Sequence, residues 1–145
     1  MSQSTLWTTP SLHEALSGLD AVRSGRIVIQ PGQAEQPGIR LHMTEYGDLP
    51  IYIGICGEQI LVDTTLVEVA RVRDTAAFDR LVLRSRDLFP LSSVGIETLA
   101  DGTEVYCMFG ALGAASALAL VEQEILTLAD NVIHAVEAFE DHFVV

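Results

Sequence analysis

Three stretches of the chain place apolar residues at the spacing of an amphipathic helix. The first opens at Pro10 and Ser11 and ends near Gly18 to Gly25, and Ser11 is its predicted N-cap. The second begins after Asp74, a favourable N-cap, and would continue to Pro90, which cannot extend a helix. Its apolar face is formed by Ala77, Phe78, Leu81, Val82 and Phe89. These patterns predict two short helices, each with one buried face.

The third helical stretch is the longest and closes the chain. Its apolar stripe runs from Leu118 to Phe139, and the pattern predicts a helix from about Ser116 to Phe143. A helix of these 28 residues would be about 42 Å long, at 1.5 Å per residue. A helix of this length extends beyond a sheet of short strands that it would cover. We therefore expect its remaining apolar surface to pair two copies of the chain.

Between the helical stretches, short runs of residues have the alternation and β-branched content of strands. The predicted strands are Arg26–Gln30, Ile39–Met43, Leu49–Cys56, Gln59–Val67, Ser93–Leu99 and Glu104–Phe109. Residues 31–38, rich in proline, glycine and glutamine, are predicted to form a loop. The last two strands are separated by Asp101 and Gly102, a pair that favours a hairpin turn.

The order of these elements, α, three or four β, α, β, β, α, predicts an α+β fold. We expect an antiparallel sheet of about five to six strands with helices packed on it and a long C-terminal helix. A length of 145 residues suits one ordinary domain, so residues 1–145 are expected to form a single domain. Apolar residues make up 49% of the sequence, which is enough for a core despite a net charge of −12.

Charge is distributed unevenly along the chain. There is no lysine, all eight arginines precede Asp87, and ten of the twenty acids follow Arg86. A surface of one sign repels nucleic acid phosphates and anionic lipids, and it attracts basic partners. We therefore expect a basic or amphipathic protein segment as the partner, with neither nucleic acid binding nor membrane insertion.

Acids of the last helix form the predicted partner-binding site. They are Glu122, Asp130, Glu137, Glu140 and Asp141. The last three lie near the negative end of the helix dipole, where each acid destabilises the helix by about 0.3 to 1 kcal/mol at low salt. Sequences tend to break such local rules where function requires it. An excess of acids that serves only solubility is an equally good explanation.

A ligand or metal site on the same helix is the alternative. Asp130, His134, Glu137 and Asp141 share one helical face, and two carboxylates with an imidazole can bind a divalent cation. Solvated helices often carry such acids, so we expect no metal and no cofactor. The glycine loop before Ser116 resembles an anion-binding turn, but it lacks the motif and the basic residue of a phosphate site. A plain turn is favoured there.

The sequence carries no sign of export or membrane insertion. Met1–Thr9 has neither the basic nor the apolar region of a secretory signal. The longest apolar stretch, Ala111–Val121, is shorter than the roughly 20 residues that a bilayer needs. Cys56 and Cys107 are far apart in strand-like segments, and we expect both to be buried, reduced thiols. These features favour the cytoplasm.

Four short motifs stand out: Glu45-Tyr46-Gly47-Asp48-Leu49, Pro90-Leu91-Ser92-Ser93-Val94-Gly95-Ile96, Phe109-Gly110-Ala111-Leu112 and Ala129-Asp130-Asn131. In them the chain resembles the YjfI family of uncharacterised bacterial proteins, from about Ile39 to the C-terminus. The Pro-Leu-Ser-Ser-Val-Gly segment is fairly specific. The resemblance implies no catalytic residue. Members are often encoded beside a PspA-like membrane-stress protein, which implies an adaptor or envelope-maintenance role.

The element order, small size and acidity also resemble the type III secretion chaperone fold, in which acidic dimers hold extended segments of client proteins. That resemblance concerns architecture, and one fold hosts many functions. Because the motif positions include no Ser-His-Asp set and no metal-binding motif, binding is favoured over catalysis. We expect a non-enzymatic, chaperone-like homodimer that acts as an adaptor. The alternative is a ligand or metal binder, or an enzyme, that uses Asp130, His134 and Glu137.

Overall fold

A computed structural model of the chain describes residues 5–30 and 38–144. Its helices are α1 (Thr9–Ser17), α2 (Asp20–Arg23), α3 (Thr75–Arg84) and α4 (Leu118–Phe139). Its strands are β1 (Ile27–Gln30), β2 (Ile39–Met43), β3 (Leu49–Cys56), β4 (Gln59–Glu68), β5 (Ser93–Thr98) and β6 (Glu104–Gly113). Short 3-10 helices cover Thr44–Tyr46, Val69–Arg71 and Glu140–His142. Of the predicted loop at 31–38, residues 31–37 lie outside the described residues.

The strands form one six-stranded antiparallel sheet in the order β1-β2-β3-β4-β6-β5. The predicted α+β class, the element order and the long C-terminal helix are confirmed. The brief strand candidate near Gln30 is β1, an edge of the sheet. At the opposite edge lies β5, whose Gly95 pairs with Cys107 and whose Glu97 pairs with Val105. Both sheet edges are therefore short strands.

Two helix starts follow from local capping. Asp74 is the N-cap of α3, as predicted, and its Oδ1 accepts the backbone N–H of Ala77 at 3.1 Å. The prediction of Ser11 as the first cap is wrong, because Thr8 caps α1. The Thr8 hydroxyl accepts the backbone N–H of Ser11, and the Ser11 hydroxyl accepts the backbone N–H of Thr8. Ser11 is thus the reciprocal partner in a capping box.

The predicted ends of α3 and α4 are also wrong. α3 ends at Arg84, and the Ser85 hydroxyl donates back to the Leu81 carbonyl at 2.7 Å. Phe89 therefore lies beyond the helix whose face it was predicted to extend. α4 has 22 residues, about 33 Å, instead of 28 and 42 Å, because the chain turns into a 3-10 helix at Glu140.

The chain divides into two compact units. Unit 1 is Met1–Val62 with Ala111–Leu126, and unit 2 is Asp63–Gly110 with Thr127–Val145. β4, β6 and α4 each contribute residues to both units. The expectation of a single domain stays a prediction.

Unit 1 is built around β2, which pairs with β1 on one side and β3 on the other. Alternation along β2 buries Ile39, Leu41 and Met43. α1 adds the fully buried Leu12 and Leu16, four residues apart on one helical face. The Trp7 indole Nε1 donates to the Ser116 carbonyl at 2.7 Å, which anchors the segment before α1 to the segment before α4.

Unit 2 has an aromatic core centred on Phe78 of α3. The ring of Phe78 lies edge-on to those of Tyr106 and Phe139, with centroids 4.8 and 5.3 Å away. Such pairs contribute about 0.5 to 1.5 kcal/mol each beyond the area that they bury. The end of the chain is fixed against this core, since Arg73 N–H donates to the His142 carbonyl at 3.0 Å.

Candidate functional site

Two of the sequence motifs meet at the buried side chain of Asn131. Asn131 lies on α4 and is only 3% exposed. Its Nδ2 donates to the Pro90 carbonyl at 2.8 Å and to the Ser92 hydroxyl at 2.9 Å. One amide group thus bonds to the residues on either side of Leu91. It also joins the connection before β5 to the last helix.

Leu91 itself has an unusual backbone conformation. Its φ is +67°, in the left-handed region that favours glycine, yet its side chain is a large aliphatic group that is 56% exposed. A non-glycine residue in a sparsely populated region of this kind costs about 1 to 3 kcal/mol. Such strain persists only where the surroundings impose it, and Asn131 hydrogen-bonds to the residues on both sides of Leu91. The result is an apolar side chain held toward solvent.

A groove lies between α3 and β5, within unit 2. Its volume is about 300 Å³. The lining residues are Asp79, Val82 and Leu83 of α3, Val94, Gly95 and Ile96 of β5, and Tyr106 of β6. Leu83 and Ile96 are 78% and 52% exposed, so large aliphatic groups from both walls face solvent. Single exposed aliphatic residues are ordinary, but a groove with several of them marks an interaction surface.

The buried end of the groove is polar. The Tyr106 hydroxyl donates to the Asp79 carboxylate. Burial, and secondarily this hydrogen bond and the Asp79 charge, raise the pKa of Tyr106 above its usual range. The phenol therefore stays protonated and donates this hydrogen bond at any physiological pH.

One side of the groove is formed by the edge strand β5. β6 is its only neighbour among the strands that the structure describes, so its outer backbone groups have no strand partner. An open edge of this type is a template for an added strand.

The acids predicted to bind a partner occupy different environments. Glu122 belongs to unit 1 and is half-buried, whereas Asp130, Glu137, Glu140 and Asp141 belong to unit 2 and are exposed. Glu140 and Asp141 lie beyond α4, in the 3-10 helix. Sequence reasoning did not single out Glu124, which is 7% exposed and whose pKa is raised by burial. The predicted partner site stays a prediction.

The alternative metal site on α4 is not assembled. In the described part of the chain, one group of three potential metal ligands comes together, and it does not include Asp130, His134 or Glu137. The group instead consists of Asp63 on β4, Glu97 on β5 and Cys107 on β6, whose ligand atoms all lie within 4.8 Å of one another. This cluster was not predicted from the sequence. One signal was available, because Asp63 is the single charged residue inside the apolar, β-branched run Gln59–Val67.

The cysteine prediction is half correct. Cys107 is buried, but Cys56 is exposed at the end of β3, and both thiols are free. Burial, and then the charges of Asp63 and Glu97, raise the pKa of Cys107 to about 11. Burial and the Glu97 charge raise the pKa of Asp63 to about 6.

The glycine loop before Ser116 is shorter than predicted. Gly110 and Gly113 belong to β6, which continues four residues beyond Phe109, and α4 starts only at Leu118. A small cavity of about 270 Å³ lies beside Gly113 and is lined by Glu58. A carboxylate at this position disfavours an anion, which supports the simple turn.

Comparison with known proteins places the chain among relatives. Residues 6–143 match the family described as an uncharacterized protein conserved in bacteria (DUF2170). The chain belongs to this family. It is similar to the uncharacterized protein YjfI of Escherichia coli K12 and of Escherichia coli O157:H7, with 34% identity over 102 residues, which cover 70% of this chain and 76% of each relative. The resemblance drawn from the motifs is therefore confirmed.

A more distant likeness concerns the fold alone. The crystal structure of YbjN from E. coli superposes with a TM-score of 0.61 at 12% identity and covers 95% of this chain and 96% of YbjN. Among the residues that the structure describes, no helix has both the length and the hydropathy needed to cross a bilayer.

Proposed function

We propose that this family member is a non-enzymatic, cytoplasmic adaptor that binds an extended apolar segment of a protein partner, flanked by basic residues. The observation that carries the proposal is the groove between α3 and β5, where Leu83 and Ile96 are exposed beside an open sheet edge. Its volume of about 300 Å³ is at the lower limit of small-molecule pockets. That size suits a side chain better than a cofactor.

The binding mode follows from the two walls of the groove. A partner segment added to β5 would gain backbone hydrogen bonds from the strand edge, and its alternate side chains would enter the groove. Leu91, held outward by Asn131 in the connection before β5, offers a further apolar contact. A strained, exposed leucine is poor for stability and is best explained by use in binding.

Negative charge near the groove favours a partner segment with basic residues at its ends. Asp79 lines the groove, in a chain of net charge −12. The exposed acids at the end of α4 add to this field, and we propose that they increase the rate of encounter and make it depend on salt. The family resemblance suggests a PspA-like protein from the same host as the first partner to assay.

A peptide selection tests the proposal without assuming a particular partner. A random peptide library displayed on phage, selected against the full chain, should yield apolar, β-branched segments with arginine or lysine at their ends. Binding of a selected peptide should shift the amide resonances of β5 in an NMR titration. Selection of acidic or sequence-unrelated peptides, or shifts confined to residues outside unit 2, would contradict the proposal.

Matched variants locate the site. Ile96→Glu should abolish binding of the selected peptide, because it places a charge at the groove. Leu120→Glu is the control, since Leu120 is 51% exposed, close to the 52% of Ile96, and lies in unit 1. Both variants should melt within a few degrees of the wild type. Equal loss of binding in the two variants would place the site elsewhere.

A further inference from the structure

Three strands bring side chains of metal-binding chemistry to one point of unit 2. In the sheet order β4-β6-β5, Cys107 lies on the central strand, with Asp63 on one neighbour and Glu97 on the other. One ligand atom from each lies within 4.8 Å of the other two. Gly95 pairs with Cys107, and the strands pack closely there, since a Cβ at Gly95 would lie 3.8 Å from the Cys107 sulfur and only 3.2 Å from the Phe109 ring.

The charges that raise the pKa values of Asp63 and Cys107 in this cluster are those of carboxylates. Asp63 Oδ1 is fully buried and accepts no hydrogen bond in the structure. A buried acceptor without a partner costs about 1 to 3 kcal/mol, and more when it is charged. The neighbouring Glu97 raises this cost, because its charge repels that of Asp63. A carboxylate with one unpartnered buried oxygen, beside a second carboxylate and a thiol that is 7% exposed, points to a missing positive partner.

We propose that Asp63, Glu97 and Cys107 bind one zinc ion, with water in the fourth position. A thiolate is a poor ligand for calcium and magnesium, which prefer oxygen, whereas zinc accepts sulfur and carboxylate oxygen together. Tetrahedral zinc with bonds of about 2.1 Å to oxygen and 2.3 Å to sulfur places its ligands about 3.4 to 3.6 Å apart. The separations of up to 4.8 Å must therefore contract by about 1 Å, and Glu97, which is exposed, is free to make that movement.

Binding would proceed with a defined proton balance. The Cys107 thiol loses its proton to solvent and the thiolate bonds to zinc, while each carboxylate binds as the anion. Zinc would then tie β5 to β4 across β6. Because Ile96 of the groove adjoins Glu97, the ion would also stiffen the sheet edge on which the proposed partner segment forms its hydrogen bonds. The zinc site does not depend on that function.

A rival explanation requires no metal. Asp63 and Glu97 could share one proton, and the hydrogen bond between the two carboxyl groups would satisfy the orphaned oxygen. The two explanations differ in what the thiol does, since only metal binding converts Cys107 into a thiolate.

Cobalt is the probe that separates them. The full chain, reduced and freed of metals, is titrated with Co²⁺, which occupies zinc sites and shows a thiolate-to-cobalt charge-transfer band in the near ultraviolet. We expect the band to saturate at one cobalt per chain and to disappear on addition of one zinc. Absence of the band in the folded wild type would overturn the zinc site and leave the shared proton.

Single-residue variants assign the ligands. Cys107→Ala should eliminate the band, and Asp63→Asn and Glu97→Gln should each weaken zinc binding by more than about tenfold. Cys56→Ala removes the exposed thiol outside the cluster and should bind as the wild type does. If Cys107→Ala fails to fold, the two carboxylate variants and the control still decide. A band lost in Cys56→Ala, or unaffected affinity in both carboxylate variants, would contradict the assignment.

Discussion

The buried amide of Asn131 allows a quantitative test of how the connection before β5 is held. Asn131→Ala removes the hydrogen bonds of 2.8 Å to the Pro90 carbonyl and 2.9 Å to the Ser92 hydroxyl. Each contributes about 0.5 to 1.5 kcal/mol net, so the two together stabilise unit 2 by about 2 kcal/mol. For a chain of this size that loss lowers the Tm by about 4 to 8 °C.

A second substitution separates hydrogen bonding from shape. Asn131→Asp keeps the shape of the side chain, but a carboxylate cannot donate and would face the Pro90 carbonyl at a position that is 3% exposed. Asn131→Asp should therefore lower the free energy of unfolding more than Asn131→Ala does at pH 7. Acidification should restore part of the loss, because the protonated carboxyl has one donor.

The release of strain at Leu91 provides an internal check. Leu91→Gly removes the steric conflict at φ +67° and should stabilise by about 1 kcal/mol, because glycine adopts the left-handed conformation without a steric penalty. The same variant should bind the selected peptide less well, since it deletes an exposed apolar contact.

Urea denaturation followed by circular dichroism gives the free energies. Ser92→Ala should cost about half as much as Asn131→Ala, and the double variant should cost less than the sum of the two, because they share one hydrogen bond. His134→Ala, on the exposed face of α4, is the control and should stay within about 0.5 kcal/mol of the wild type. An Asn131→Ala protein equal to the control, or strict additivity with Ser92→Ala, would refute the hydrogen-bonding scheme.

Four further predictions concern the acids, the thiols and the assembly. Burial raises the pKa of Glu124 in the folded chain, so its unfavourable contribution grows as pH rises through that pKa and vanishes below the ordinary value of 4.5. Glu124→Gln should therefore be more stable than the wild type at pH 7 and equal to it near pH 3, as measured by urea denaturation at both values. A thiol reagent applied to the native, metal-free protein should label the exposed Cys56 quickly and the buried Cys107 slowly, and peptide mass spectrometry should show equal labelling only after denaturation. Joint replacement of Glu137, Glu140 and Asp141 by glutamine should leave the Tm equal or higher, because it removes acids from the negative end of the helix dipole. The same variant should capture the selected peptide less well, with a weaker dependence on salt. A distinctly lower Tm would contradict the prediction. Light scattering at micromolar concentration should report twice the 15.7 kDa chain mass, because α4 exposes the aliphatic side chains of Leu126, Ile133 and Val136 on one face. A monomer throughout that concentration range would exclude the homodimer.

Features set by neighbouring residues in the chain were predictable from the sequence. Alternation identified the strands, and helical spacing identified α1, α3 and α4. The Asp74 cap was correct because a cap depends on the next three residues alone. The family could also be identified, since its motifs are short, continuous segments.

The ends of elements were decided by tertiary contacts. The pattern of α4 continues past Phe139, but the chain leaves the helix there because its backbone bonds to another segment. Phe143 pairs with Val72, and Val144 N–H donates to the Arg71 carbonyl at 2.6 Å. These contacts take the place of the intrahelical hydrogen bonds that the hydrophobic pattern predicts. Cys56 was mispredicted for a related reason, since its position at a strand end, not its apolar neighbours, sets its exposure.

The metal-ligand cluster and the Asn131 contact are both formed by residues that are distant in the sequence. β6 lies between β4 and β5, so Asp63, Glu97 and Cys107 meet although they are distant in the sequence. Asn131 likewise reaches Pro90 across 41 residues. Hydrophobic periodicity determines which face of a strand or helix is buried, but it carries no information on which strand becomes its neighbour. That choice depends on the packing of the whole chain, and it is what brings these distant side chains together.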